Sequence, residues 1–515
     1  MDTTAHENID MTTIFHKEGQ WSRRFVASVA VALVLFSTSS CTDFLTMTPR
    51  NEKVVRTAED YRDIMGSFVK MMKTPNQEQF GPLFGVDYYA MPKWNISTFL
   101  AIFSNEVTLN DGTTLYYDAK SNSYNTAGLN ILSWKYSDGN IWNQYFSMLG
   151  CLNLIISDID NMIIEDVNVR NMVVGEALVW RAYGYYKLLQ YYAPYENEAL
   201  GLPIVLDPTN NIGDIQPKRA GQKEVFDLIL SDLKGALALL DKTPSQPWNF
   251  AYQKPFIEAF LSDVYWYKAD GGAKAEDDWA NALKHAEQAM QGRTPEKSAD
   301  KYSLLFDISR DRLNAVPVSD EYYIRLMEGP QNQKFNFRRS YASNGTSFTN
   351  GKVTEEYLSL YTDNDIRKAA FITADGRVAK YNILGHTSEQ GYGVFMPFRL
   401  ADVCLIAAEA AVHLGDMPKA RHLMSEFAGA RYTTPISMPD TGKELLDAVR
   451  QERKKEFFAE IDARWIMMKR YGEEYSRSVG NRSFKLERND FRYTFPIPYE
   501  EINRNKNMIQ NPGWI

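Results

Sequence analysis

Residues 401–429 read ADVCLIAAEAAVHLGDMPKARHLMSEFAG, and their spacing decides the fold. Leu405, Ala408 and Val412 recur at helical intervals, and Gly415-Asp416 stops the run. A second run restarts at Pro418 and carries Ala420, Leu423 and Phe427. Pro suits the first turn of a helix, and Gly suits the residue after one. Alanines facing the partner helix let two backbones approach closely, so the stretch predicts two short antiparallel helices.

The same design recurs upstream. Phe256–Tyr267 pairs with Trp279–Met290, which carries Ala282, Ala286 and Ala289, across a turn widened by Gly271-Gly272. Asn171–Tyr192 pairs with Val225–Leu240, where Val225, Ile229, Leu233, Ala236 and Leu240 form one apolar stripe. Trp142–Ile164 is a fourth helical element. Small alanines around a Gly-Asp turn resemble a tetratricopeptide repeat, but the pairs are irregular and separated by long excursions. The expected core includes Leu178, Leu188, Leu233, Leu261, Ala286, Leu405 and Ala408. Strand-like segments are few: Gly201–Leu206, Tyr322–Met327 and Val394–Pro397. The fold class is therefore mainly α, an irregular tetratricopeptide-like helix-pair scaffold with long loop insertions and a few short strands.

The N-terminus is organised differently. Arg23-Arg24 precede an apolar run from Phe25 to Phe36, then Ser37-Thr38-Ser39-Ser40 and Cys41. A positive region, a short apolar core and small residues make a secretory signal. The run is too short for a membrane-spanning helix, which needs about 20 apolar residues. A cysteine after the small residues predicts cleavage before Cys41 and lipidation of its thiol. Met1–Gln20 is polar and long for such a leader, and Met11 offers a second start. The domain reading is a lipoprotein signal over 1–40 and one domain over 41–515, with an N-terminal part of about 41–245 and a C-terminal part of about 250–515.

Residues 1–40 hold three Lys/Arg and four Asp/Glu, so the remainder has net charge −7 against −8 for the whole chain. No block of like charge is long enough for a basic arm, and nucleic acid is excluded as a partner. Three cysteines cannot build a disulfide framework. With Cys41 lipidated, Cys151 and Cys404 lie inside apolar helical patterns and read as small core residues.

Five stretches, in order, resemble the SusD/RagB-like nutrient-binding outer-membrane lipoproteins. Cys41, Asp43, Leu45 and Pro49 keep the motif that follows the lipidated cysteine, while Thr46 departs from it. Glu176-Ala177, Arg181-Ala182, Tyr185 and Gly201-x-Pro203 match a second motif, although Pro194–Leu200 is longer than usual. Glu452-Arg453, Glu456, Glu460 and Arg464-Trp465 match a third, and Asp365 with Arg367 a structural Asp-x-Arg. The tail keeps Phe495-Pro496-Ile497-Pro498, Glu501-Ile502, Asn505, Asn507 and Gln510-Asn511-Pro512-Gly513-Trp514, with Lys506 in place of a proline. The resemblance implies a SusD-like fold and a non-enzymatic lid on the extracellular side of the outer membrane. Such a lid captures an oligosaccharide, or less readily a peptide, and delivers it to a SusC-like TonB-dependent transporter.

The residues themselves show no catalytic signature. His285, His386, His413 and His422 lack zinc spacing. Asp363-Asn364-Asp365 faintly suggests a calcium loop, but Lys368 stands where an EF-hand needs glycine. No cofactor or metal is expected. A glycoside hydrolase with carboxylates distant in sequence, or a tetratricopeptide-like periplasmic scaffold, are the alternative classes. The charges of Arg450–Arg470 read as a salt-bridged scaffold helix in preference to an anion patch.

A sugar site needs aromatic faces for C–H stacking and polar groups for hydroxyls, on a loop whose aromatics are not used in packing. Phe84–Asn95 meets this, with Asp87, Tyr88, Tyr89, Trp94 and Asn95. Trp248 (with Asn249) is a second candidate, and the Ser/Asn-rich loop Tyr341–Asn350 a third.

Overall fold

The helices at the centre of the chain form as their spacing predicts. The computed structural model describes residues 55–73, 100, 102–107, 126–135, 139–208, 216–243, 252–291, 295, 326–327, 352–376, 394–395, 398–460, 462–479 and 481–514. The helices are α1 Ala58–Lys73, α2 Thr126–Leu132, α3 Gly139–Asp158, α4 Val167–Tyr192, α5 Gln222–Leu240, α6 Lys254–Lys268 and α7 Asp278–Met290. They continue with α8 Glu355–Leu358, α9 Arg367–Phe371, α10 Leu400–His413, α11 Met417–Gly429, α12 Gly442–Glu456, α13 Ala463–Tyr471 and α14 Tyr499–Arg504.

Three expected pairs are present: α4 packs on α5, α6 on α7, and α10 on α11. They join into a continuous row because α3 and α1 also pack on α4, α5 on α6, α7 on α10, and α12 on α10. The Gly415-Asp416 turn works as its residues dictate. Gly415 takes the left-handed φ of +82°, and the Asp416 side chain accepts from the Lys419 amide at 3.1 Å to cap α11. Ala408, Ala286, Leu188, Leu233, Leu261 and Leu405 are fully buried. Leu178 departs from expectation and is only half-buried, because it lies toward the edge of α4 over Gly235. Cys404 is buried with its thiol 3.8 Å from the Leu423 carbonyl oxygen, and burial pushes the Cys151 thiol up to about 12.

Two expectations need correction. The element read as Trp142–Ile164 ends as an α-helix at Asp158, and one 3-10 turn follows over Ile159–Asn161. Gly201–Leu206 is not a strand; only Pro203 pairs, in an isolated bridge to Arg219. Gly201 lies so close to the next segment that a Cβ there would meet the Ala220 carbonyl oxygen at 2.6 Å. Of the other two strand segments, the described parts, β1 Leu326–Met327 and β2 Val394–Phe395, are strands that pair antiparallel, and the rest of each lies outside the described residues. A hairpin not anticipated from the sequence, β3 Tyr475–Val479 and β4 Arg482–Leu486, pairs from Tyr475↔Leu486 to Val479↔Arg482.

The tail is tied to the far half of the row. The Phe495 amide donates to the Tyr191 carbonyl at 2.8 Å, and Asn511 Nδ2 donates to the carbonyls of Tyr192 and Phe495 at 2.8 and 2.7 Å. Arg219 donates to Tyr192 and Leu200 carbonyls, and Lys469 Nζ to those of Gln190 and Ala193 at 2.6 and 2.7 Å. The last carbonyls of α4, which have no partner within the helix, are thus satisfied by three side chains.

Candidate functional site

Cys41, Asp87, Tyr88, Tyr89, Trp94, Asn95, Trp248 and the loop Tyr341–Asn350 lie outside the described residues. The structure does describe the roots of the first two loops, and both are rigidly built. Residues 100–107 follow the Phe84–Asn95 segment, and Leu100, Ile102 and Phe103 are each 1 % exposed. Phe103 packs on Trp465 with ring centroids 5.2 Å apart. Glu106 accepts from the Ala459 amide at 2.8 Å and from Ser104 Oγ at 3.0 Å. Asn105, at φ +56°, gives its carbonyl to Thr354 Oγ1 and donates from Nδ2 to Glu356.

The hairpin closes this root from the other side. Arg477 donates to the carbonyls of Ile102, Ile131 and Leu132 at 2.6–3.0 Å. Its guanidinium lies 4.1 Å from the Trp134 ring centroid, and Trp134 Nε1 donates to the Phe103 carbonyl at 2.9 Å. Trp134 itself is fully buried at φ +56°, an uncommon conformation for a bulky residue, held by these contacts. Burial lowers the Arg477 guanidinium to about 9. The root after Trp248 is equally fixed. Tyr252 is fully buried and its ring fills the space over Gly175, where a Cβ would come within 2.2 Å.

The charged helix α12 has a scaffold's electrostatics. Glu456 holds Arg367 at 3.3 Å, Arg399 at 3.0 Å and Arg431 at 3.0 Å. Arg367 is also bidentate on Asp365 and 2.6 Å from Glu452, while Arg399 pairs with Glu460 at 2.6 Å. All three arginines are 0–1 % exposed. Burial alone would raise the Glu456 carboxyl, but the three guanidiniums hold it well below the usual carboxylate range. These charges satisfy one another, and their geometry leaves the network to stabilise the fold. In the Asp363–Asp365 stretch, Asp365 is engaged by Arg367, and Asp363 pairs with Lys368 at 2.7 Å.

Two other clusters invite a chemical reading. Asp263 and Asp402 are 7–8 % exposed and share Arg453, at 3.9 and 2.5 Å. Burial first, then the Asp402 charge, pushes the Asp263 carboxyl up to about 6. A raised buried carboxylate is a known mark of acid–base sites. Here, however, Tyr186 donates to Asp263 at 2.7 Å, and the pair is spent joining α4, α6, α10 and α12. Asp270, Glu409 and His413 place ligand-type atoms within 4.8 Å of one another. Arg470 lies 3.0 Å from both carboxylates and Arg450 3.5 Å from Glu409. Burial would raise Glu409, yet those two cations hold it down to about 2. A divalent ion would have to sit against two guanidiniums, so these residues do not fit a metal centre.

The charged clusters among the described residues are neutralised within the helix-pair scaffold. Two family models match in sequence order: one described as starch-binding associating with outer membrane over residues 96–266, and the SusD family over 334–514. The chain belongs to the SusD/RagB-like family, whose members are carbohydrate-binding proteins associated with the outer membrane. It is 24 % identical over 430 residues to SusD-like protein P2 of Formosa agariphila, covering 72 % of this chain and 80 % of that relative. Its fold resembles a putative sugar binding protein of Bacteroides vulgatus, with TM-score 0.67, 21 % identity and coverage of 90 % of this chain and 100 % of the other. A SusD-like carbohydrate binding protein of the same organism aligns with TM-score 0.66 and 17 % identity over 88 % of this chain and 98 % of that one.

Proposed function

We propose that this protein is a cell-surface lipoprotein that captures an oligosaccharide and delivers it, as a lid, to a SusC-like TonB-dependent outer-membrane transporter. The observation that carries this is the ordered match of both family models across the two halves of the helix row. The likeness to a sugar binding protein and a carbohydrate binding protein favours a glycan over a peptide. Cys41 supplies the anchor, which keeps the lid at high effective concentration over its barrel. Several acyl chains are required there, since one binds membranes only marginally. The protein is not an enzyme; separate hydrolases act on the glycan.

Asp87, Tyr88, Tyr89, Trp94 and Asn95, with Trp248, are the proposed ligand contacts. The roots that follow these loops, with Leu100, Ile102 and Phe103 buried after the first and Tyr252 and Phe256 after the second, favour this, because a contact loop gains precision from a fixed end. A glycan and peptide array on residues 42–515 identifies the ligand, and calorimetry then compares wild type with Trp94→Ala. Stacking of a nucleobase on an aromatic ring is worth about 1–3 kcal/mol, an upper guide for a sugar ring. Trp94→Ala is expected to weaken binding severalfold or more with the melting temperature nearly unchanged. Equal affinity removes Trp94 from the site, and release of reducing ends from the bound glycan overturns the non-enzymatic reading.

A further inference from the structure

The loop between α3 and α4 exposes three branched apolar side chains within five residues. Ile163 is 61 % exposed, Ile164 39 % and Val167 59 %. Single exposed apolar residues need no explanation, but a cluster with a polar border is the composition of an interface core. The border is acidic. Glu165 and Asp166 are exposed, and Asp160 is paired with Arg170 at 2.7 Å. The start of α1 adjoins the same loop through the Thr57↔Ile163 bridge and the Ala58 amide bonded to the Ile163 carbonyl at 3.1 Å. Three carboxylates, Glu165, Asp166 and Asp160, against the one guanidinium of Arg170 leave the border negative.

We infer that Ile163, Ile164 and Val167 form a docking surface for a protein partner that presents an apolar slot bordered by Lys and Arg. The inference rests on the lid reading above, with the transporter barrel as that partner. The acidic border selects a protein over the bilayer. It opposes approach to an anionic lipid surface and steers a basic one. The loop also touches Thr57, sixteen residues after Cys41, and such a stretch reaches at most about 55 Å. The patch is therefore held near the membrane, where the rim of a barrel stands, by the root of the anchor itself.

The test is recovery of the full lipidated chain in detergent on an affinity-tagged barrel encoded beside it. It compares wild type, the double variant Ile163→Asp/Val167→Asp, the border variant Glu165→Lys, and Leu414→Asp, whose parent side chain is 46 % exposed on the α10–α11 turn. Circular dichroism confirms folding of each. The double variant is expected to bind at least tenfold more weakly, Glu165→Lys more weakly with a flatter salt dependence, and Leu414→Asp like wild type. Wild type and double variant binding equally overturns the surface while leaving the lid reading intact. Wild type failing to bind the barrel overturns the lid reading and removes the proposed occupant. Pelleting of the Cys41→Ala chain with phosphatidylethanolamine/phosphatidylglycerol vesicles, abolished by the double variant, assigns the patch to lipid and also overturns the proposal.

Discussion

Glu456→Gln isolates the contribution of the buried charge network, because it removes one negative charge with almost no change of shape. The parent side chain is fully buried and faces three guanidiniums at 3.0–3.3 Å. With glutamine there, Arg367 retains Asp365 and Glu452, and Arg399 retains Glu460, but Arg431 loses its bidentate carboxylate. Neutralising one member of a buried ion pair costs up to about 3–5 kcal/mol. An unfolding entropy of about 2 cal/mol/K per residue gives roughly 1 kcal/mol/K for a domain of some 460 residues. The melting temperature should therefore fall by up to about 3–5 °C. Scanning calorimetry at pH 7.5 measures it, with Glu460→Gln as a milder control because Glu460 contacts the more peripheral side of Arg399. The pH dependence has a definite sign. Glu456 is depressed in the folded state, so its contribution is complete above the unfolded carboxyl pKa and disappears as the pH falls toward the folded one. A melting temperature for Glu456→Gln within 1 °C of wild type would refute the assignment of this network to stability.

Asp263 has the opposite sign: its folded value is raised to about 6, so the folded state gains protons between about pH 6 and 4 and is relatively stabilised on acidification there. Asp263→Asn should abolish that component, seen as a smaller difference in melting temperature between pH 7.5 and 5.5 than in wild type; an unchanged difference contradicts it. Ala408→Leu adds three carbons at a fully buried point of α10 and should cost about 1–3 kcal/mol by overpacking, read as a lower urea midpoint; an unchanged midpoint would place Ala408 outside a tight contact. Cys41→Ala should release the protein from the outer membrane, and continued fractionation with that membrane counts against the anchor.

The helix pairs were legible because their signal is local. Alanine spacing, an apolar stripe and a Gly-Asp stop all lie within about 30 residues, and Ala286, Leu405 and Ala408 are buried where periodicity places them. Leu178 was misjudged because period alone does not say how wide a helix's buried face is. The β3–β4 hairpin escaped because its strands carry Arg477, Arg482 and Lys485, and nothing local reveals that the Arg477 guanidinium is consumed by three distant carbonyls. The Gly480-Asn481 dipeptide in the sequence was the available signal. The acid–arginine helix was readable as scaffold, yet its partners Arg367, Arg399 and Arg431 are 25 to 89 residues away. For the ligand site, the sequence offers crowded aromatics and breaks in helical period, and the structure adds the anchored root that follows each of the two loops.

The clamp at the end of α4 has a consequence for how the molecule is made. Asn511 reaches the Tyr192 carbonyl across 319 residues, so a group far along the chain completes a helix laid down in its first half. A chain that emerges N-terminus first therefore cannot lock this joint until residue 511 has emerged, and α4 must wait with its end open while the intervening segments form. Truncation before Asn511 would leave the Tyr192 carbonyl to Arg219 alone and take from the Phe495 carbonyl its side-chain amide donor.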